Sequence, residues 1–159
     1  MTESLFLTIA AAMTNFVSSI YTGAGEKIGE TIADTICKKV RGLFKKEDQE
    51  LLIQFENQPE SKELKEWFEN KLEKSILNKN QLQKDVRYIL DIMSVDAALL
   101  QTHLDTYKRL KHEYNLLIIE FIDADNGVND EWYNRKENFE KKFHALNKMV
   151  KTMLEPCGI

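Results

Sequence analysis

Residues Gln81–Ile122 read QLQKDVRYILDIMSVDAALLQTHLDTYKRLKHEYNLLIIEFI, an unbroken run without proline or glycine. Within it Val86, Leu90, Met93, Ala97, Leu100, Leu104, Tyr107, Lys111, Tyr114, Ile118 and Phe121 alternate spacings of four and three, and all but Lys111 are uncharged. Apolar residues at that spacing share one face of an α-helix. The run therefore predicts one helix of about 40 residues, some 60 Å long at 1.5 Å per residue, or two helices meeting near Ser94–Asp96. The same spacing returns in Trp132, Lys136, Phe139, Phe143, Leu146, Val150 and Met153, and the polar segment Asp123–Asp130 joins the two stretches. A long antiparallel helical hairpin is thus the predicted frame of the fold. Leu100, Leu104, Tyr107, Lys111 and Tyr114 carry its seam on one arm, Phe139 and Phe143 on the other. At Lys111 and Lys136 the stems can pack while the ammonium groups reach water; the alternative is a role in register.

Upstream of the frame, three further helices can be read. Ile28, Ile32, Ile36, Val40, Leu43 and Phe44 make one stripe over residues 24–46. Leu51, Leu52 and Phe55 follow in a short helix over 48–58, stopped by Pro59. Ser61 is then placed as N-cap of a helix to Leu77 that buries Leu64, Trp67, Phe68, Leu72 and Ile76. No strand-like run and no repeat occurs. The predicted fold class is all-α, a bundle of five or six helices forming one domain over 1–159, with 4–21 a separable uncharged helix.

Composition agrees. The 159 residues are 30% charged and 43% hydrophobic, with six Gly and two Pro, which excludes collagen-like and disordered classes. Twenty-two Lys and Arg against 26 Asp and Glu give a net charge of −4, a field that repels nucleic acid, so no nucleic-acid partner is expected. Cys37 and Cys157 have no CxxC spacing; neither a zinc site nor a disulfide framework is expected, and a reducing cytoplasmic setting fits. Glu3 stands where a secretory signal needs positive charge.

The opening segment departs from the rest. From Ser4 to Gly25, SLFLTIAAAMTNFVSSIYTGAG, 22 consecutive residues carry no charge. Leu5, Ile9, Met13, Phe16, Val17 and Ile20 make one side at helical spacing, while Thr8, Asn15, Ser18, Ser19 and Thr22 make the other. A spanning helix needs about 20 predominantly apolar residues, so length suffices and hydrophobicity is marginal. Gly25, Gly29, Ala33 and Cys37 then recur every four residues, a surface that permits close helix approach. Lys38, Lys39, Arg41, Lys45 and Lys46 end that helix with five positive charges, suited to the macrodipole or to an anionic lipid surface.

No catalytic pattern emerges. Starting a calcium loop at Asp123 puts Gly127 at loop position 5, where an EF-hand needs glycine at position 6. His103, His112 and His144 form no zinc spacing, and Glu140 with His144 supplies only two ligands. Arg135 and His144 are too far apart, and Arg109 and His112 too close, for the Arg–His motif of HEPN-type nucleases. Gly23–Gly25 lacks the GK[ST] of a phosphate loop. No cofactor and no enzymatic activity are expected.

The segment AAAMTNFVSSIYTGAGEKIGETIADTICKKVRGLF resembles the start of helical effector or effector-associated domains of prokaryotic antiviral conflict systems. By overall plan the chain is similar to membrane-acting helical bundles of the HeLo and necroptosis-executioner type. These likenesses imply a non-enzymatic effector that oligomerises or acts at a membrane through Leu5, Ile9, Met13, Asn15, Phe16, Ile20, Gly25 and Gly29. The alternative is an adaptor whose seams bind a protein partner and whose first helix is central in the bundle. Homo-oligomerisation is expected on either reading, because a 40-residue arm against a 25-residue one leaves about 15 residues of apolar edge uncovered.

Overall fold

The computed structural model describes residues 4–23 and 28–155. Seven α-helices occur among them: α1 Leu5–Tyr21, α2 Glu30–Leu43, α3 Gln49–Asn57, α4 Lys62–Leu77, α5 Lys84–Ile92, α6 Ala97–Asp123 and α7 Asp130–Leu154. A single 3-10 turn, Lys46–Asp48, joins α2 to α3, and no strand is present among the described residues. The fold is all-α, with one more helix than the upper expectation.

The extra helix comes from the frame. Residues 81–122 are not one arm: α5 ends at Ile92 and α6 begins at Ala97. Ser94 adopts φ 64°, its N–H donates to Asp91 O, and the Val95 N–H donates back to Leu90 O at 2.8 Å. This paired closure caps the last carbonyls of α5. Asp96 restarts the chain, its carboxylate accepting from Leu99 N at 3.0 Å. The break falls where the second of the two readings put it, near Ser94–Asp96, although the left-handed position, where glycine is usual, is held by a serine.

α6 and α7, of 27 and 25 residues, are nearly equal, so the predicted 15-residue overhang is absent. Their aromatic contacts step in opposite directions, with Phe121 against Trp132, Tyr114 against Phe139 and Tyr107 against Phe143. The seam also departs from the predicted register. Leu100, Leu104 and Tyr107 are buried as expected and Tyr114 half-buried, but Lys111 is exposed and Leu110 and Leu117 are buried in its stead. Adjacent residues of an α-helix stand about 100° apart, so the buried face of α6 turns aside from Lys111 to Leu110 and Leu117, while Ile118 is half-buried. The Lys111 ammonium lies 5.8 Å from the Tyr107 ring centroid. Lys136 pairs with Glu140 one turn on.

α1 is the helix around which the rest is assembled. It packs most extensively on α4 and also touches α2, α3, α6 and α7. Leu5, Ile9, Ala10 and Ala12 are fully buried, with Phe6, Met13 and Val17 nearly so. Phe6 meets Tyr107 edge-on at 5.5 Å, Tyr107 meets Phe143 at 5.7 Å, and Phe143 meets Tyr114 at 5.8 Å, which ties α1 into the α6–α7 pair. Tyr21 and Phe68 flank Phe55 on the other side.

The serine and threonine hydroxyls of α1 are satisfied without water or lipid, whereas the buried Tyr21 hydroxyl has no hydrogen-bond partner among the described residues. Thr8, Thr14, Ser19 and Thr22 donate to carbonyls of Ser4, Ala10, Phe16 and Ser19, and the buried Ser18 donates to Pro59 O at 2.8 Å. Ser18 therefore belongs to the packed side, against the expectation. With 17 residues α1 is about 26 Å long, short of a hydrocarbon core of about 30 Å. No helix among the described residues is long and apolar enough to cross a membrane.

Candidate functional site

The structure distributes the sequence-predicted site residues over three places. Leu5, Ile9 and Met13 lie in the core, Phe16 and Ile20 are half-buried against it, and Asn15 is exposed. Gly25 and Cys157 fall outside the described residues. Gly29 is the N-cap of α2, not a point of helix contact; nothing lies within 4 Å of where its Cβ would stand. The small-residue stripe is thus no packing surface at Gly29, because α2 begins only at Glu30.

The basic run at the end of α2 is divided. Lys39 pairs with Asp85 at 3.1 Å and lies 4.7 Å from the Tyr88 ring centroid. Arg41 grips both carboxylate oxygens of Glu56, at 2.8 and 2.9 Å. Lys38, Lys45 and Lys46 remain exposed. Lys45 opens onto a cleft of about 300 Å³ lined also by Lys71, Lys74, Lys79, Asp48, Leu43 and Phe44. Lys71 is held by the buried Asp48 at 3.3 Å, while Lys45, Lys74 and Lys79 make no ion pair among the described residues. The Phe44 ring is fixed by stacking on Trp67 at 5.6 Å and packing on Phe68 at 5.2 Å. The cleft thus combines a rigid aromatic wall with surplus positive charge. Only Lys45 of its four lysines belongs to the run seen in the sequence; the others arrive from α4 and the loop after it.

Beside that region, Cys37, Tyr21, Glu56 and Arg41 gather. Burial, then the Glu56 carboxylate, pushes the Cys37 thiol up, and burial followed by Glu56 does the same to the Tyr21 phenol. A thiol held protonated is a poor nucleophile. Among the described residues no group of three or more His, Cys, Asp or Glu could hold a metal ion.

A groove of about 400 Å³ runs along α1, lined by Leu7, Thr8, Ala11, Glu69, Leu154 and Glu155. Burial, then Glu73 and Glu66, raises the Glu69 carboxyl above its ordinary range. The native state therefore binds this proton more readily than the unfolded chain. The resulting penalty is complete at neutral pH and fades as pH falls through the raised value. Glu69→Gln is expected to melt above wild type near pH 7, with the gap closing below about pH 4, where the unfolded group is protonated too. Thermal melts at the two pH values check this.

An exposed apolar surface lies at the far end of α6 and α7. There Leu117 and Trp132 are buried apart from the main core, and Trp132 Nε1 donates to Leu117 O at 3.0 Å. On the opposite side of α6, Leu116, Ile119 and Ile122 recur every third residue and are 53, 51 and 71% exposed. Phe121 and Tyr133 are also exposed but lie on the Trp132 side, 4.9 and 5.1 Å from its ring. Asp123, Asp125, Asp130 and Glu131 stand at this end of the chain's hairpin and make no ion pair among the described residues, whereas Glu120 is taken by Arg135 at 3.2 Å. No protein-family model, curated protein or solved structure matches this chain.

Proposed function

We propose that this protein acts by contact and not by catalysis, as an oligomerising helical module of the reducing cytoplasm whose docking surface is the α6–α7 tip. The observation that carries the reading is the stripe of Leu116, Ile119 and Ile122, three large apolar side chains half or more exposed on one helix face. Contiguous exposed apolar surface with a polar rim is characteristic of protein docking sites. The resemblance of the N-terminal third to effector-associated domains of antiviral systems supports an assembly role in the same direction. Insertion of α1 into lipid would remove the helix on which α2, α3, α4, α6 and α7 all pack, so the bundle favours the interaction reading over membrane action.

Sedimentation of the full chain over a concentration series tests it. Wild type is expected to self-associate, and Ile119→Ser with Ile122→Ser to weaken association by at least about tenfold, the range reached when central apolar anchors are removed. Both side chains are exposed, so circular dichroism should show the helical content unchanged. A wild-type chain that stays monomeric at several hundred micromolar overturns the proposal.

A further inference from the structure

The tip and the lysine cleft have complementary chemistry, and within one molecule they cannot meet. Lys108 of α6 donates to the Lys79 carbonyl at 2.7 Å, which places the cleft's edge beside position 108. Ile122 lies 14 residues further along the same helix, about 21 Å away at 1.5 Å per residue.

The tip carries apolar Leu116, Ile119 and Ile122 on α6, with Asp123 and Asp125 directly after Ile122 in the chain and Asp130 and Glu131 in the first turn of α7, none of the four in an ion pair among the described residues. Should two tips meet about a two-fold axis, each would face its own copy, and four carboxylates would confront four. Juxtaposed like charges of that kind oppose association. The cleft offers the opposite: unpaired Lys45, Lys74 and Lys79 beside an apolar wall of Leu43 and the stacked Phe44. Of the basic run, Lys39 is committed to Asp85 and Arg41 to Glu56, whereas Lys38, Lys45 and Lys46 make no ion pair among the described residues, so positive charge is in surplus on that side.

We infer that the tip of one molecule docks into the lysine cleft of the next, giving a head-to-tail assembly. The inference rests on the reading of the tip as a self-association surface and assigns the face that receives it. Each junction uses one tip and one cleft, so every complex retains a free tip at one end and a free cleft at the other, and it grows into a ring or a filament.

The test uses two variants of the full chain, Lys74→Glu with Lys79→Glu in the cleft and Ile119→Ser with Ile122→Ser at the tip. All four positions are exposed, and circular dichroism confirms folding. Each variant alone is expected to sediment as a monomer at concentrations where wild type associates. Mixed in equal amounts they should form a 1:1 dimer and stop, because a single intact tip and a single intact cleft remain between them. Raising salt from about 0.05 to 0.5 M should weaken wild-type association severalfold, since exposed charges more than a Debye length apart are screened. A cleft variant that associates like wild type overturns the head-to-tail contact and leaves self-association through the tip standing. A mixture that remains monomeric overturns it as well. Wild type that never associates overturns both. Binding to vesicles containing phosphatidylserine that the cleft variant loses, with self-association untouched, makes the cleft a lipid-headgroup site and overturns the inference.

Discussion

Ile9→Ala is expected to cost about 2–5 kcal/mol of folding stability, while Leu7→Arg, two residues away on the same helix, costs less than about 1 kcal/mol. Ile9 is fully buried where α1 meets its neighbours, so truncation removes packing and leaves a cavity among helices that cannot all close onto it. Leu7 is 37% exposed along the groove, and an arginine there can lay its stem on the surface and keep its guanidinium in water. A helix inserted in lipid ranks the pair the other way. Losing an isoleucine from a spanning segment costs only about half a kcal/mol on insertion scales, and an arginine at midspan about 2.5–3.5 kcal/mol. Chemical denaturation in detergent-free buffer decides between them. An Ile9→Ala midpoint close to wild type, with Leu7→Arg strongly destabilised, would remove α1 from the core and return it to the membrane.

That contrast shows how far the sequence was legible. A 22-residue uncharged stretch is required equally by a helix buried on all sides and by one that spans a bilayer. Periodicity reports which residues avoid water, not what replaces it. Helix boundaries written in polar chemistry were readable: Ser61 caps α4, accepting from Leu64 N, and Pro59 follows α3 as predicted. The break after α5 was readable only as one of two alternatives, because Ser94 holds a left-handed turn with no glycine to mark it. Both surfaces of the proposed contact were hidden for different reasons. Leu116-Leu117-Ile118-Ile119 is a continuous apolar run, and nothing in its order says that Leu117 turns inward while Leu116 and Ile119 turn out. The cleft joins Lys45 to lysines 26 to 34 positions later, a grouping made by the packing of α2 and the 3-10 turn against α4.

The second large effect separates the bundle from its tip. Phe143→Ala is expected to lower stability by about 3–5 kcal/mol, which for a chain of this size moves the melting midpoint down by roughly 6–20 °C. Phe143 is almost completely buried, and its ring contacts Tyr107 and Tyr114, the residues through which α7 joins α6 and, by way of Phe6, α1. Its loss opens a cavity in the cluster shared by every long helix. Trp132→Ala removes a larger side chain but from a contact set of Leu117, Phe121 and Tyr133 that stands outside that cluster. Local structure of this kind opens on its own, with a free energy below that of global unfolding. Hydrogen exchange should therefore show Phe143→Ala reducing protection throughout α1, α6 and α7, and Trp132→Ala reducing it only in the last turns of α6 and the first of α7. Self-association should fall in both, but in Trp132→Ala without a matching fall in the melting midpoint, since the stripe of Leu116, Ile119 and Ile122 is presented by the segment that Trp132 anchors. Equal global losses from the two substitutions would make tip and bundle one cooperative unit, and the docking surface would then be as rigid as the core itself.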